Sequence, residues 1–383
     1  MSLVVFPFKE EDPVVATTNV WTAARHELVT EVLCVGSGRD DAYHAIDAMG
    51  PDVLAETGTP VQLVLQERIG ALRPGKGDAM NTGLGWFLDQ SQADRVHFYD
   101  ADITTFHEGW ITRAERAADR GFPVVRHFFP RASTDAMITW MITRPGLAMC
   151  FPDTVLPEIG QPLGGEVLFT RDVAAALRAD PAVQAQSDWG VDTLYTIATA
   201  AAGFGTAETY EPMGKLHGLY GSLTDIETMA VECFAALQGA RKMAVPPTID
   251  HEMDSALQVS EEVKQKTAYS VADTVGLLRD SWTDRQVQLL DLFEPAVARG
   301  MVAARDYPRL DFLDAELWGE TYRVLLDSFD VGDRDWRSLL FRLWVARVLS
   351  YTVTEAIRGY DAAVGYLEGT ISAYRSQAQG RIS

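Results

Sequence analysis

Short apolar runs alternate with helical patterns through the first half of the chain, and this alternation leaves few architectures open to it. The strand-like runs are Leu3–Phe8, Glu31–Val35, Val61–Gln66, Arg95–Tyr99 and Pro123–Phe129. Helical patterns separate them at Val14–Val29, Tyr43–Glu56, after Gly77 and at Trp110–Arg120. Elements in this order form a parallel sheet covered by helices. We therefore predict an α/β domain with a Rossmann-like, mostly parallel sheet over residues 1–221.

The pattern loosens after Asp135 but continues to the end of this domain. Further strands are predicted at Gly164–Phe169 and Thr206–Tyr210, with a helix at Asp188–Ala202 between them. The glycine-rich segment Gly214–Gly221 is predicted to be a mobile loop.

The second half of the chain, from Leu223 onward, lacks strand-like runs. Its apolar residues recur at helical spacing in Met229–Leu237, Val275–Leu278, Val287–Val297, Leu317–Phe329 and Leu339–Ile357. Such spacing predicts helices that bury one face, so we expect an all-helical C-terminal domain over residues 222–383. Its large aromatic side chains are expected to fill a core rather than contact a ligand; they are Trp318, Tyr322, Trp336, Phe341 and Trp344.

Composition and charge narrow the class of protein. The 383 residues are 47% hydrophobic and 23% charged, as in an ordinary globular protein. A formal net charge of −21 argues against nucleic acid or an anionic membrane surface as a partner. Three scattered cysteines indicate neither a disulfide framework nor a zinc site, so we expect them to be buried. Without a signal-peptide core or a membrane span, a cytoplasmic protein is expected, and the apolar faces of its last long helices allow a homo-oligomer.

The run Val96–Asp102 is apolar and ends on two carboxylates one residue apart, Asp100 and Asp102. Open α/β sheets bind ligands beyond the carboxyl ends of their strands, and Mg²⁺ takes carboxylate and phosphate oxygens together. The pair therefore indicates a metal that holds a nucleotide or a phosphate ester. Aspartates also begin helices and turns, which leaves a structural role open.

Two further motifs fall at the carboxyl ends of early strands. Pro7-Phe8-Lys9-Glu10-Glu11 ends the first strand, either as part of a nucleotide site or as a solvated acidic turn. Gln66 ends the third strand and precedes Gly75-Lys76-Gly77, which opens a helix. Flanking glycines let an ammonium approach a phosphate, and the amino end of a helix favours anions. The alternative for Lys76 is a surface lysine in a turn.

Three later residues are candidates for the same site. His217 lies in the glycine-rich loop, where it either completes a metal shell begun by Asp102 or simply packs. Asp192 lies inside a predicted helix, where a capping role does not explain it. Arg131 follows the fifth strand and is either a ligand for a carboxylate or phosphate or an ordinary surface arginine.

The order of these motifs resembles that of the GT-A nucleotide-sugar glycosyltransferases. Over the full length, helical tail included, the chain most resembles the mannosylglycerate synthase family. The resemblance implies a GT-A catalytic domain followed by a helical domain. It also implies a retaining transferase that moves α-mannose from GDP-mannose to the 2-hydroxyl of D-glycerate, giving 2-O-α-mannosylglycerate, with a divalent metal such as Mg²⁺ or Mn²⁺.

The same resemblance assigns roles to residues of each motif. Asp102 and His217 would hold the metal, Asp192 would contact the mannose, and Lys76 would assist departure of the diphosphate. The residues implied on the nucleotide side of the donor are Pro7, Phe8, Lys9, Glu11, Gln66, Lys76 and Asp100. Those implied around the acceptor are Arg131, on the glycerate carboxylate, with Thr139, Leu163 and, on the closing loop, Tyr220.

Retention leaves two mechanisms open. Either Asp192 attacks the sugar as a nucleophile, or substitution occurs on the front face of the sugar. Our hypothesis is the second, in which the leaving phosphate accepts the acceptor's proton and Asp192 only positions the mannose.

Other functions also remain open on sequence alone. One is a transferase like glucosyl-phosphoglycerate synthase, although a phosphorylated acceptor needs more basic residues than Arg131 offers. Another is a haloacid-dehalogenase-like phosphatase built on Asp100-Ala101-Asp102-Ile103-Thr104, but that motif normally begins its fold and three strands precede it here. Its second acidic motif has only a poor match, Gly332-Asp333-Arg334-Asp335. The last is a nucleotide-sugar-binding protein without catalysis.

Overall fold

The computed structural model describes residues 1–217, 223–255, 263, 270–279, 282–307 and 309–382. The chain forms two compact units whose segments alternate along the sequence, whereas the sequence predicted a single boundary after residue 221. The first unit comprises Met1–Pro130, Thr154–Gly218 and Met243–Gln258. The second comprises Arg131–Asp153, Leu219–Lys242 and Val259–Ser383.

An eight-stranded sheet lies at the centre of the first unit. Its strands are β1 (Ser2–Phe8), β2 (Val29–Gly36), β3 (Val61–Leu65), β4 (Arg95–Phe98), β5 (Val124–Phe128), β6 (Val167–Thr170), β7 (Thr206–Tyr210) and β8 (His251–Met253). They lie in the order β3-β2-β1-β4-β6-β5-β7-β8. All neighbours are parallel except the two pairs that β6 makes with β4 and β5. The mostly parallel α/β sheet predicted from the sequence is confirmed.

Strand β8 corrects one expectation. No strand was expected after Leu223, but His251–Met253 pairs in parallel with the start of β7. Three residues are too few to show the alternation that marks a strand, and His-Glu-Met carries no β-branched residue. Pairing with the neighbouring strand, rather than local preference, makes this segment extended.

Helices cover the sheet of the first unit and make up most of the second. In chain order they are α1 (Pro13–Ala24), α2 (Asp41–Thr57), α3 (Lys76–Asp89), α4 (Glu108–Asp119), α5 (Arg144–Cys150), α6 (Arg171–Ala179), α7 (Pro181–Ala185), α8 (Val191–Ala201), α9 (Leu223–Ala240), α10 (Val271–Arg279), α11 (Asp284–Leu289), α12 (Pro295–Ala304), α13 (Ala315–Ser328), α14 (Arg334–Thr354) and α15 (Tyr360–Ile382). Helices α1–α4 and α6–α8 belong to the first unit.

Local capping signals set where several of these helices begin. Asp12 accepts hydrogen bonds from the N–H groups of Val14 and Val15, and Pro13 occupies the first position of α1. At α14, Asp333 accepts from the N–H of Asp335 at 2.8 Å. Asp333, in the tetrapeptide Gly332–Asp335, is thus the N-cap of α14.

The core of the second unit contains the aromatic side chains expected there. Trp318, Tyr322, Trp336, Phe341 and Trp344 are at most 4% exposed, which confirms that prediction. Two of them also donate to carbonyls of the π-helical turn Thr139–Thr143: Trp318 Nε1 to Met141 at 2.9 Å and Tyr322 Oη to Ile142 at 2.7 Å. Their polar tips are satisfied while their rings are buried, as large core aromatics require.

The three cysteines are free thiols, two of them buried and Cys150 half-buried. Within the described part of the chain, no helix combines the length and apolar character needed to cross a bilayer.

Candidate active site

Lys76 is held between two carboxylates at the carboxyl edge of the sheet. It is the first residue of α3, Asp100 follows β4, and Asp192 lies in the first turn of α8. The ammonium Nζ is 2.9 Å from Asp100 Oδ1 and 3.1 Å from Asp192 Oδ2. Burial would lower the pKa of Lys76, but Asp100, Asp192 and Glu166 raise that pKa well above its usual value. The structure thus brings together three residues that the sequence assigned to one site, with Lys76 charged.

Lys215 and Glu166 belong to the same cluster, although the sequence analysis did not single them out as site residues. Lys215 Nζ lies 2.6 Å from Asp100 Oδ2 and 2.6 Å from Glu166 Oε1. Charges therefore alternate along Glu166, Lys215, Asp100, Lys76 and Asp192, a set that we call the five-residue charge chain. Each lysine is shared by two carboxylates, so the five side chains restrain one another.

The direction of β6 explains why Glu166 escaped notice. Sequence patterns point to residues that follow strands, since the carboxyl ends of parallel strands form the ligand edge. Strand β6 is antiparallel to β4 and β5, so its amino end lies at that edge. Glu166 immediately precedes β6 and is therefore equivalent in position to Asp100 after β4. An acidic residue that precedes a strand predicts a site residue only when the direction of that strand in the sheet is known.

Gly165 allows the Lys76 ammonium to reach its partners. A Cβ at position 165 would lie 2.2 Å from Lys76 Nζ and 3.0 Å from Asp100 Oδ1. The first distance is shorter than a carbon atom tolerates, and the second is tight. A side chain at this position would therefore displace the lysine from the charge chain.

Asp102 and His217 also meet at this edge. His217 Nδ1 lies 3.7 Å from Asp102 Oδ2, and both side chains are about one-quarter exposed. Ligand oxygens and nitrogens lie ~2.1 Å from an ion such as Mg²⁺ or Zn²⁺, so two ligands of one ion are at most ~4.2 Å apart. The observed separation is therefore compatible with one shared cation.

Hydrogen bonds fix the approach of the loop that carries His217. Thr105 Oγ1 donates to the Gly214 carbonyl at 2.7 Å and accepts from the Leu216 N–H at 3.1 Å. The Thr104 N–H donates to the Leu216 carbonyl at 2.7 Å. Residues 214–217 of the loop predicted to be mobile are thus tied to the turn after Asp102, and residues 218–221 lie outside the described part of the structure.

The charges around Asp102 fit a divalent cation. The five-residue charge chain and Asp102 together hold four carboxylates and two ammonium groups, an excess of two negative charges. Burial, with the nearby Asp100 carboxylate, raises the pKa of Asp102. Burial, with Asp102 and Asp100, raises the pKa of Glu11 to about 7. Among the described residues, no group of three or more His, Cys, Asp or Glu side chains forms a complete metal cage.

Five of the residues expected on the nucleotide side, Pro7, Phe8, Lys9, Glu11 and Gln66, lie at the ends of β1 and β3. Phe8 is 4% exposed, and its ring packs so closely on Gly36 that a Cβ there would lie 2.8 Å from Cζ. Pro7 and Gln66 are half-buried, while Lys9 is exposed. The Gln66 N–H donates to the Gly36 carbonyl at 2.9 Å, which fixes the start of the loop after β3.

One expectation about Lys76 is wrong. The amino end of α3 was expected to offer N–H groups to an anion, but the Gly77 N–H donates to the Asp188 carbonyl and the Asp78 N–H to the Ser187 carbonyl, both at 3.2 Å. A Cβ at Gly77 would lie 2.2 Å from the Gln186 carbonyl oxygen. This glycine therefore serves close packing of the backbone.

The residues expected around the acceptor belong to different units. Leu163 is a half-buried residue of the first unit. Arg131 and Thr139 belong to the second, where Arg131 Nη1 lies 2.9 Å from Asp135 Oδ2 and Thr139 begins the π-helical turn. Tyr220 lies outside the described residues.

Comparison with known proteins gives matches over nearly the whole chain. Residues 2–239 match the family described as "Mannosylglycerate synthase, GT domain", and residues 263–371 match "Mannosylglycerate synthase C-terminal domain". The chain is 52% identical over 378 residues to the mannosylglycerate synthase of Rhodothermus marinus, covering 99% of this chain and 95% of that protein. It is 51% identical over 374 residues to the mannosylglycerate synthase of Selaginella moellendorffii, covering 97% and 89%.

Solved structures with a similar fold include glucosyl-3-phosphoglycerate synthase from Mycobacterium tuberculosis. Its complex with Mn²⁺, UDP-glucose and phosphoglyceric acid gives a TM-score of 0.51 at 22% identity, covering 64% of this chain and 80% of that chain. Its complex with Mg²⁺ and UDP gives the same TM-score, identity and coverage. At this identity the likeness concerns the fold, and it confirms the expected GT-A-like architecture.

Proposed function

The chain belongs to the mannosylglycerate synthase family, and from this premise we propose that it transfers α-mannose from GDP-mannose to the 2-hydroxyl of D-glycerate with retention of configuration. The observation that carries the proposal is the five-residue charge chain beside the Asp102–His217 pair, at the edge where open α/β sheets bind ligands. The names of the two relatives support mannosylglycerate as the product.

Asp102 and His217 are the residues that would hold the metal in this proposal. Their spacing of 3.7 Å and the excess of negative charge around them support that assignment. A divalent cation bound there would offset the negative charge that develops on the departing GDP diphosphate.

Lys76 and Asp192 act on the sugar side of the donor. Lys76 is a fixed cation whose charge costs no reorganisation when negative charge develops nearby. Asp192 Oδ2 is 3.1 Å from that ammonium, which holds the carboxylate in one orientation. This supports positioning of the mannose over covalent attack. On the front face, the glycerate hydroxyl forms the new bond to the anomeric carbon as the bond to GDP breaks, and its proton passes to the leaving phosphate oxygen.

Arg131 is the proposed ligand of the glycerate carboxylate. Its guanidinium pairs with the Asp135 carboxylate within the second unit, and this affinity for a carboxylate supports the assignment. Thr139, Leu163 and Tyr220 remain acceptor residues by resemblance to the family.

The function is tested by incubating the purified protein with a panel of nucleotide sugars and small hydroxy acids. The panel pairs GDP-mannose, GDP-glucose and UDP-glucose with D-glycerate and 3-phosphoglycerate, with Mg²⁺, with Mn²⁺ and with a chelator. We expect the mass of mannosylglycerate from GDP-mannose and D-glycerate, an α-anomer by NMR, and loss of turnover in chelator. Preference for UDP-glucose with 3-phosphoglycerate would instead identify an enzyme like the structural neighbours.

The role of Asp192 is tested separately with GDP-mannose alone and a rapid quench. The front-face mechanism predicts no sugar attached to the protein, as judged by intact mass. A mannosylated peptide containing Asp192 would establish double displacement.

A further inference from the structure

Arg126 on β5 is a buried cation with unused hydrogen-bonding capacity. It is 1% exposed, and its Nη1 lies 3.4 Å from the Gly164 carbonyl oxygen. The other two guanidinium nitrogens, Nε and Nη2, have no hydrogen-bond partner within the described ranges. Buried charges are normally paired or fully hydrogen-bonded because burial of an unsatisfied charge is costly. This arginine therefore needs an explanation that core packing does not give.

The two residues at the ends of the five-residue charge chain each have one carboxylate oxygen without a hydrogen-bond partner among the described residues. Glu166 uses Oε1 to bind Lys215, and Asp192 uses Oδ2 to bind Lys76. Their other oxygens, Glu166 Oε2 and Asp192 Oδ1, are buried, and the described residues provide no hydrogen bond to either. Three buried side chains, Arg126, Glu166 and Asp192, therefore carry two donor nitrogens and two acceptor oxygens that have no hydrogen-bond partner among the described residues.

The dipeptide Gly164–Gly165 relates Arg126 to the charge chain. Arg126 approaches the Gly164 carbonyl, and a Cβ on Gly164 would lie 3.7 Å from Glu166 Oε2. A Cβ on Gly165 would meet Lys76 Nζ at 2.2 Å. This glycine pair therefore lies beside Arg126, Glu166 and Lys76, with the Gln161 side chain also close to Gly164.

Charge balance agrees with this arrangement. Burial lowers the pKa of Arg126 to about 10, against the opposing effect of the Glu208, Asp192 and Glu166 carboxylates, so the guanidinium is charged at neutral pH. The charge chain alone has three carboxylates and two ammonium groups. Arg126 supplies the third cation.

Glu208 is the competing partner, since it lies opposite Arg126 in the parallel pairing of β5 and β7. Its oxygens are already used: Oε1 accepts from the N–H groups of Gly160 and Gln161 at 3.0 and 3.1 Å, and Oε2 lies 3.1 Å from His251 Nε2. Glu208 contributes charge to the surroundings of Arg126, but its hydrogen bonds go to other groups.

We propose that Arg126 is a positioning residue that closes the charge chain from behind the Gly164–Gly165 dipeptide, joined to Glu166 Oε2 and Asp192 Oδ1 through buried water. Water is the bridging group because buried polar groups that lack protein partners are commonly satisfied by ordered water. The catalytic part of this inference rests on the proposed function. In that reaction Arg126 fixes the orientation of Asp192, which in turn positions the transferred sugar.

The kinetic test compares Arg126→Met, Arg126→Lys and wild type. Arg126→Met should lower kcat on the order of ten- to hundred-fold, the usual effect of removing a group behind a site, with little change in KM for the donor. Arg126→Lys keeps the charge and should restore part of kcat. Affinity for GDP, which lacks the sugar, should stay unchanged by calorimetry in both variants. The matched control is Arg347→Met, which removes an equally buried arginine of the second unit and should leave kcat unchanged.

Two outcomes would overturn the proposal kinetically. If Arg126→Met weakens GDP binding as much as it lowers kcat, Arg126 has a general structural role. If adding Glu208→Gln to Arg126→Met restores kcat, Arg126 serves Glu208 instead. The double variant should remain as slow as Arg126→Met.

A crystal structure of the wild-type protein at high resolution separates this inference from the proposed function. Ordered waters that link Arg126 Nε and Nη2 to Glu166 Oε2 and Asp192 Oδ1 would support the inference even if the protein uses another nucleotide sugar. A guanidinium bonded only to Glu208, with no such waters, would overturn it. Failure of GDP-mannose in the substrate panel rejects the proposed donor alone, and the variants are then compared with the donor that does react.

Discussion

His217 Nδ1 lies 3.7 Å from Asp102 Oδ2, although one residue follows β4 and the other belongs to a loop after β7. The strand order places β6 and β5 between these two strands. The contact therefore depends on the loop crossing the edge of the sheet, and the Thr104–Thr105 turn holds it there. This relationship leads to the first two predictions.

Removal of either side chain should weaken metal binding. Asp102→Asn and His217→Gln should each lower the affinity for Mn²⁺ in the presence of GDP by at least about tenfold, since each removes a ligand of the proposed metal site. Binding is measured by electron paramagnetic resonance of free Mn²⁺, which does not require turnover. His44→Gln, at an exposed position on α2, is the control and should bind Mn²⁺ like wild type. Wild-type affinity in both site variants would remove these residues from the metal site.

Removal of the Thr105 hydroxyl, which holds the loop that carries His217, should weaken activation by the metal. Thr105→Val removes the hydrogen bonds to Gly214 and Leu216 while keeping the branched shape of the side chain. At ~0.5–1.5 kcal/mol for each of the two bonds, the Mn²⁺ concentration for half-maximal activity should rise about five- to hundredfold. Thr22→Val is the matched control, because the Thr22 hydroxyl donates to the Thr18 carbonyl within α1 and not to this loop. Equal metal activation in the two variants would show that the anchor does not position His217.

The sequence was informative about the site wherever a parallel strand ended in a polar motif. Asp100, Asp102 and Lys76 were identified in this way, because alternating strands and helices bring the carboxyl ends of parallel strands to one edge. The helical C-terminal region was equally visible, since its buried aromatics recur at helical spacing. Periodicity shows which face of a helix or strand is buried, and the helical region was predicted from that information alone.

What sequence could not supply was the direction and pairing of short segments. Strand β6 is antiparallel, which moves Glu166 to the ligand edge, and β8 is a three-residue strand without a strand-like composition. Lys215 was invisible for a different reason, because its role depends on a loop whose path is fixed by contacts with Thr105. Pairing energies between distant segments decide such features, and no local pattern encodes them.

Substitution at Gly165 should disrupt the charge chain directly. Gly165→Ala places a methyl group where Lys76 Nζ now lies, so the ammonium has to move by an ångström or more. Misplacement of that size costs on the order of a hundredfold in kcat. Gly85→Ala is the control on the same helix as Lys76, since its Cβ meets no atom within 4 Å. It should retain wild-type kcat and gain up to ~1 kcal/mol in unfolding free energy. Full activity in Gly165→Ala would mean that Lys76 need not occupy its observed position.

Acid should destabilise the first unit through Glu115, a residue of α4 that is 2% exposed. Burial alone would raise its pKa, but hydrogen bonds from His97, Ser2 and Arg95 lower that pKa to about 2 from the ordinary 4.5. The folded state therefore binds fewer protons than the unfolded state in this range. The contribution of Glu115 to stability is complete above about pH 4.5 and is lost as the pH falls toward about 2.

Urea unfolding of wild type and Glu115→Gln between about pH 6 and about pH 3 tests this linkage. Near pH 6 the variant should be less stable by roughly 2–3 kcal/mol, because it lacks the charge that Arg95 and His97 stabilise. The difference should shrink as the pH falls, since the wild-type carboxylate then loses its advantage. Asp52→Asn removes an exposed carboxylate of α2 and should follow wild type throughout. A gap between wild type and Glu115→Gln that stays constant with pH would show that the hydrogen bonds around Glu115 do not depend on its charge.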